Sequence, residues 1–172
     1  MAPNPHKLLR DAIKTRRFDG AYYIYGDDEF QKKDAEQQLV EAAVDPAMRD
    51  FNLEVRQGGD ITAELLDALV GTPPLMADRR VVVIRDVAAM KKEVRKRLDR
   101  YLGNPAHDTT LILIAPASGK SDKTLEKLAT PLQFDALSDD RIPKWISHRA
   151  DSALSVSITS DAADLLHRAV GN

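Results

Sequence analysis

Five short apolar runs alternate with segments of helical spacing over most of the chain. Each run is five to seven residues long and rich in Val, Ile, Leu or Tyr, which favours β-strands. The predicted strands are 21–25, 51–55, 80–85, 109–115 and 132–136. The third and fourth runs are almost entirely apolar, as is typical of parallel strands that helices cover on both faces.

The segments between the runs carry apolar residues three or four positions apart, which predicts amphipathic helices. These predicted helices are 29–44, 62–70, 91–102 and 122–129. Alternating strands and helices indicate an α/β fold with a mostly parallel five-stranded sheet and flanking helices. Open sheets of this kind bind ligands at the carboxyl ends of their strands, so the loops that follow the strands are where chemistry is first expected.

After the fifth run the pattern becomes purely helical, with predicted helices at 142–151 and 161–170. The chain is therefore divided into an α/β domain, residues 1–138, and the beginning of a helical lid domain, residues 139–172. The last helix has an apolar face that no later segment covers: Ala162, Leu165, Leu166 and Ala169. We interpret the chain as part of a longer protein with a truncated lid.

Composition adds mainly exclusions. The 172 residues are 43% hydrophobic and 30% charged, as in soluble globular proteins, and include no cysteine. Disulfide scaffolds, thiolate metal sites and cysteine nucleophiles are thereby excluded. The longest apolar stretch, 111–117, is far shorter than the roughly 20 residues of a membrane-spanning helix. We expect a cytoplasmic protein that does not enter a membrane.

A net charge of −2 conceals a strong asymmetry along the chain. Residues 26–67 hold twelve acidic and four basic side chains, whereas residues 84–100 hold seven basic and three acidic ones. The basic segment contains Lys91, Lys92, Arg95 and Lys96 on a predicted helix. This helix is a candidate contact for DNA or for another subunit, although a basic helix face can also simply be solvated.

The loop after the first strand resembles a phosphate-binding loop that has lost its essential residues. It begins with Gly26, Asp27 and Asp28, but Gln31 replaces the second glycine of G-x-x-x-x-G-K-[ST], and Lys33 replaces the hydroxyl residue that binds magnesium. Acidic side chains also stand where phosphate oxygens would lie. We interpret the segment as a degenerate nucleotide loop whose aspartates cap the next helix, and we expect no cofactor.

Other catalytic constellations are missing from the sequence. The four histidines, at 6, 107, 148 and 167, form no i,i+4 pair and have no cysteine to complete a metal site. No serine lies in a G-x-S-x-G elbow. We therefore predict neither a metal site nor a catalytic residue in this chain, and whether it counts as an enzyme depends only on the assembly to which it belongs.

One alternative gives the acidic residues a chemical role. The acids at 27–29, together with Asp86 after the third strand, are similar to the magnesium pocket of a phosphoacceptor receiver domain, in which Asp86 would accept the phosphoryl group. That family also requires a hydroxyl residue after strand four and a lysine after strand five. Ala115 and Leu137 stand near those places, so this remains the weaker interpretation.

The segment before the third strand is unusual for a connecting loop. Gly71 is placed to end the preceding helix in a left-handed conformation, and Pro73 and Pro74 stiffen the chain that presents Leu75 and Met76. Two large apolar side chains on a stiff loop can fill a partner's pocket, or they can fold back onto the core. The physics of the segment alone does not decide between these interpretations.

A set of short motifs, in order and across nearly the whole chain, is similar to the delta-subunit family of bacterial DNA polymerase III clamp loaders. The motifs are YIYGDD at 23–28, FNL at 51–53, GD at 59–60, TPPLMADRRVVVIRD at 72–86 and WI at 145–146. The resemblance implies an AAA+-type (P-loop NTPase-like) domain without ATPase function. It also implies that Leu75 and Met76 match the Leu-Phe pair with which the family enters a pocket of the sliding clamp.

Further expectations follow from the same resemblance. Thr72, Pro74 and Arg79 are candidate clamp contacts beside the Leu-Met pair. The implied function is DNA replication: binding and opening the sliding clamp (the beta subunit) without hydrolysing ATP, within a nucleotidyltransferase holoenzyme. The implied partners are the clamp, the ATPase and delta-prime types of loader subunit and, indirectly, primed DNA. Met76 departs from the family's phenylalanine, but methionine is flexible enough to fill an aromatic-sized pocket.

Overall fold

A computed structural model describes residues 4–18, 20–117, 121–137 and 141–170. The chain divides into two compact units, Met1–Asp135 and Ala136–Asn172. The boundary expected at residue 138 lies outside the described residues, and the domain limits stay a prediction. No helix among the described residues combines the length and apolar character needed to cross a membrane.

The first unit is built on a fully parallel sheet of five strands, which confirms the predicted fold class. The strands are β1 (Gly20–Tyr25), β2 (Leu53–Gln57), β3 (Arg80–Arg85), β4 (Thr109–Ile114) and β5 (Thr130–Gln133). Their order across the sheet is β2-β3-β4-β1-β5. In the centre, Val82 of β3 lies beside Leu111 of β4, and Ile112 of β4 lies beside Tyr22 of β1.

Helices cover both faces of this sheet. Those of the first unit are α1 (Pro5–Thr15), α2 (Glu29–Ala43), α3 (Arg49–Asn52), α4 (Ala63–Gly71), α5 (Lys92–Leu102) and α6 (Lys123–Leu128). Three single turns of 3-10 helix lie at Pro46–Met48, Gly58–Asp60 and Val87–Ala89. Successive residues of a strand point to opposite faces, so Val82 and Ile84 join one buried cluster, whereas Val81 and Val83 join the other.

The second unit consists of two helices, α7 (Ile142–Leu154) and α8 (Ser160–Val170). They pack against each other, and Ala163 of α8 is fully buried. Leu165 and Leu166 are exposed, as the uncovered apolar face predicted from the sequence requires.

Several elements differ from the sequence-based expectations. A first helix, α1, was not predicted, although Asn4 caps it and Pro5 begins it. The second strand starts two residues later than predicted, since the chain stays helical through Asn52. The fifth strand was predicted at 132–136 and is observed at Thr130–Gln133. It pairs with β1 over these four residues, although Pro131 has no N–H to donate.

A polar cluster fixes the start of α6 to α5. Asp122 caps α6 by accepting hydrogen bonds from the Thr124 and Leu125 N–H groups, at 2.9 and 3.2 Å. The same carboxylate pairs with Arg95, whose guanidinium also binds Asp99. The hydrogen bond from Arg95 is the main reason why the pKa of Asp122 lies below its ordinary value.

We expect Asp122→Ala to lower the free energy of unfolding at pH 7 by about 1 to 2 kcal/mol, because it removes both a helix cap and an ion pair. A carboxyl group whose pKa is depressed by folding stabilises the protein above its unfolded pKa, and this contribution is lost as pH falls through the folded pKa. The difference between wild type and variant should therefore shrink below about pH 4. Urea unfolding at several pH values measures it.

Asp45→Ala is the matched control. Asp45 caps only the Pro46–Met48 turn, through the Ala47 N–H at 2.9 Å, and it has no arginine partner among the described residues. Its loss should cost less, because it removes a cap without an ion pair. Equal stability of wild type and Asp122→Ala at pH 7 would contradict this account of the cluster.

Candidate functional site

The Leu-Met segment forms the connection between α4 and β3. Gly71 is the last residue of α4, and Thr72 closes the helix by donating hydrogen bonds from its N–H and its Oγ1 to the Ala68 carbonyl, at 3.1 and 2.7 Å. The prediction of a left-handed Gly71 is wrong, since its φ is not positive. The left-handed residue of this loop is Met76, with φ of 50°.

Leu75 and Met76 lie at the protein surface. Leu75 is 50% exposed and Met76 is 80% exposed, so the Met76 side chain is not a core staple between α4 and β3. A left-handed backbone costs an ordinary residue of the order of 1 kcal/mol, and such strain often occurs at functional positions. Thr72 is exposed beside them, and Pro74 is partly buried.

Arg79 anchors the other end of this loop. Its Nη1 donates to the Phe18 carbonyl, the His107 carbonyl and Thr110 Oγ1, at 3.1, 2.9 and 3.1 Å. These acceptors lie just before β1, just before β4 and within β4. These hydrogen bonds fix the loop to the sheet, and the direct partner contact that the sequence suggested for Arg79 stays a prediction.

Two further residues support the loop from the side of β2. The buried Arg80 donates from Nη1 to the Phe51 carbonyl at 2.8 Å, and Asn52 is hydrogen bonded to the backbone of Leu75. Neither residue was predicted to support the loop, since both were noted only as parts of family motifs. A polar residue within the predicted strand 51–55 was the available signal, but its partner lies 23 residues away.

All these groups share one edge of the sheet. The strands are parallel, so the residues that precede β1, β2, β3 and β4 meet at the amino edge. An open groove of about 780 Å³ runs along this edge beside Met76. It is lined by residues of the α1 and α2 ends and of the loop, among them Arg16, Glu41, Asp45, Met76 and Asp78. The candidate surface therefore lies opposite the carboxyl edge, where the fold class suggested looking first.

The degenerate phosphate loop lies at the carboxyl edge and is closed onto β5. Gly26 has φ of 115°, and a side chain there would overlap the Phe134 carbonyl, to which the Asp28 N–H donates at 3.0 Å. Asp28 caps α2 by accepting from the Gln31 N–H at 2.8 Å, as predicted. Asp27 makes no such capping bond. A helix N–H group that could face a phosphate is thus bound to a carboxylate of the chain itself.

Lys32 occupies the lysine position of the phosphate-loop pattern, but the protein uses it internally. The side chain is only 1% exposed, and its Nζ donates to the Ala115 carbonyl at 3.0 Å. Its ammonium also pairs with Glu29. The Glu29 carboxylate therefore supplies the negative charge that a nucleotide phosphate would otherwise bring to this lysine.

The receiver-domain alternative is contradicted by the strand order. Receiver domains place their strands in the order 2-1-3-4-5, which puts the phosphoacceptor strand next to β1. Here β4 separates β1 from β3, so Asp86 is not brought to the acids that follow β1. No group of three or more acidic or histidine side chains suited to a metal ion occurs among the described residues.

The basic helix is only partly available to a partner. In α5, Arg95 is committed to Asp99 and Asp122, and Arg97 pairs with Asp67. Lys91, Lys92 and Lys96 are exposed and have no ion-pair partner in the described parts of the chain. Of the four basic residues named from the sequence, these three remain able to contact an anionic surface.

Solved structures place this architecture among AAA+-like domains. The DNA clamp loader delta protein of Bacillus subtilis matches with a TM-score of 0.73 and 22% identity over 94% of this chain and 51% of that chain. A DNA polymerase III gamma subunit-related protein of Thermotoga maritima matches at 0.60, with 13% identity over 95% of this chain and 58% of its own. The RuvB Holliday junction branch migration motor of the same organism matches at 0.57, with 18% identity over 94% of this chain and 54% of its own.

The sequence narrows this class to one family. The family model for the DNA polymerase III delta subunit matches residues 22–137, and the chain belongs to that family of the DNA replication machinery. The DNA polymerase III subunit delta of Bacillus subtilis (strain 168) is 26% identical over 116 residues, which cover 61% of this chain and 33% of the relative. The chain thus spans a third of the length of that relative, and the resemblance seen in the motifs is confirmed.

We expect Mg-ATP to leave the melting temperature unchanged, because the phosphate loop is closed by Asp28, Glu29 and Phe134. A ligand present at 100 times its dissociation constant stabilises a protein by about 2.7 kcal/mol, so roughly 1 mM ATP would reveal a site of about 10 µM affinity. Thermal unfolding with and without nucleotide is the measurement. A rise of several degrees would show that the loop still binds nucleotide.

Proposed function

We propose that this chain is the clamp-contacting part of a clamp-loader delta subunit. It binds one subunit of the sliding clamp through Leu75 and Met76 and stabilises an opened ring interface. The observation that carries the proposal is the exposure of both apolar side chains on a loop that is hydrogen bonded to Asn52 of α3 at Leu75 and to Thr110 of β4 at Arg79. Membership of the delta family supports the choice of partner.

The mechanism needs differential binding rather than a reactive group. A ligand shifts an equilibrium between closed and open rings only by the difference in its affinity for the two states. Leu75 and Met76 supply apolar surface for one face of the clamp, and no nucleotide has to be hydrolysed in this chain. ATP hydrolysis is assigned to the ATPase subunits of the loader, with the delta-prime subunit as a further partner and primed DNA reached through the complex.

The two side chains do not account for a tight complex alone. Burying both contributes roughly 3 to 6 kcal/mol, whereas a nanomolar complex needs about 12. Thr72 and Pro74 are placed to contribute contacts from the same loop. Arg79 contributes indirectly, because its hydrogen bonds hold the loop against the starts of β1 and β4.

We expect the double variant Leu75→Ala, Met76→Ala to bind the clamp at least 100-fold more weakly, because each truncation removes about 1.5 to 3 kcal/mol of apolar burial. Affinity for the cognate sliding clamp, measured by pull-down and by surface plasmon resonance, tests this. Leu165→Ala, Leu166→Ala is the matched control, since it removes another exposed apolar pair, from α8. Undiminished binding of the Leu75→Ala, Met76→Ala variant to the clamp would contradict the proposal.

Met76→Phe, which restores the family's aromatic residue, should bind the clamp at least as tightly as the wild type. Phenylalanine fills the same class of pocket and has fewer rotamers to lose on docking than methionine. The same resonance assay measures it. Much weaker binding of this variant would mean that the pocket facing residue 76 does not accept the family's side chain.

A further inference from the structure

Asn52 is a fully buried polar residue that joins α3 to the Leu-Met loop. It is 0% exposed and ends α3, directly before β2. Its Oδ1 accepts a hydrogen bond from the Leu75 N–H at 2.7 Å, and its Nδ2 donates to the Leu75 carbonyl at 2.9 Å. One side-chain amide therefore pairs with both backbone groups of Leu75.

This pairing uses the full donor capacity of the amide. The second hydrogen of Nδ2 is donated to the Met48 carbonyl at 3.2 Å, so the two donors and the oxygen of Asn52 are all engaged. Removing the amide would leave two backbone groups of Leu75 without these partners, and unsatisfied buried polar groups are costly. The loop would then shift towards conformations in which water solvates Leu75.

The hydrogen bonds of Asn52 also determine where the side chains of the loop point. Because the Leu75 backbone is bound on its inner side, the Leu75 and Met76 side chains project to the surface, where they are 50% and 80% exposed. Met76 is kept in a left-handed conformation that a free loop would tend to leave. A loop that is already ordered loses less conformational freedom when a partner binds.

We propose that Asn52 is the positioning residue of the clamp-contacting loop. It touches no partner itself but keeps Leu75 and Met76 in the conformation that enters the clamp pocket. This inference rests on the proposed function. Loss of the Asn52 amide should weaken clamp binding about 10-fold to 30-fold, which corresponds to about 1.4 to 2 kcal/mol, the order of the cost of fixing one residue.

The first test compares clamp affinity of Asn52→Ala in two backgrounds. In the wild-type background it should weaken binding about 10-fold or more. In the Leu75→Ala, Met76→Ala background it should have no further effect, because there is no longer an apolar pair to position. Wild-type affinity of Asn52→Ala, or an equal loss in both backgrounds, would overturn the inference.

The second test does not depend on the clamp. Hydrogen exchange of the Leu75 amide should be slow in the wild type and at least 10-fold faster in Asn52→Ala, whereas the Val82 amide in β3 should keep its protection. If Asn52→Ala does not fold, Asn52→Asp replaces it with a side chain of nearly the same size. The aspartate can still accept from the Leu75 N–H but cannot donate to Leu75 or Met48, and it too should weaken clamp binding.

The two proposals fail in different ways. If Leu75→Ala, Met76→Ala abolishes clamp binding while both Asn52 variants bind like the wild type, the positioning role is wrong and the proposed function stands. If the loop variant binds normally, the proposed function is wrong and the positioning role falls with it. Unchanged Leu75 exchange in Asn52→Ala would overturn the hydrogen-bonding role whatever the clamp result.

Discussion

Burial of β3 and β4 on both faces is the constraint on which the rest of the molecule depends. All six residues of β4 and five of the six in β3 are buried. Polar side chains in these strands lie at their ends, where Thr110 and Arg80 find partners outside the apolar layers. The centre of the sheet is therefore closed to ligands, and function must use the edges of the sheet or the helices that cover it.

The two edges of the sheet differ in which of their side chains already have partners within the chain. At the carboxyl edge, where related folds bind nucleotides, Asp28 accepts from the Gln31 N–H, and Lys32 pairs with Glu29 and donates to the Ala115 carbonyl. At the amino edge, polar groups of Asn52 and Arg79 bind backbone or hydroxyl groups, and it is the apolar side chains that remain uncovered. The polar groups of the carboxyl edge therefore have partners within the chain, whereas the amino edge presents apolar surface that a partner can bury.

The sequence predicted the fold class well because its central strands are nearly pure in Val, Ile and Leu, and because each helix has a clear apolar face. It missed α1, although the Asn4 cap and the helical spacing of Leu9, Ala12 and Ile13 were available signals, and it shifted β2 by two residues. The error in β2 concerns a segment whose structure depends on a distant partner. The helical state of Asn52, for example, places its amide against Leu75, 23 residues later.

The candidate site was predicted in part. The exposure of Leu75 and Met76 was expected only from the family resemblance, since the segment alone left it open, whereas the defective phosphate loop was predictable from residue type and spacing. The engagement of Arg79 and Lys32 was not, because a basic side chain reads the same in a sequence whether it faces water or a buried carbonyl. Only the packing of β1, β4 and the adjoining loops shows that these two cations serve the domain itself.

The backbone of Met76 restricts evolution at this position in a way that its side chain does not. At a φ of 50° a β-branched residue is strongly disfavoured, whereas an unbranched side chain is tolerated at moderate cost. Substitutions at residue 76 are thus limited first by the backbone conformation and only then by the fit to the proposed partner. Leucine, methionine and phenylalanine can adopt this conformation. Valine and isoleucine, although equally apolar, are disfavoured by the backbone before any partner binds.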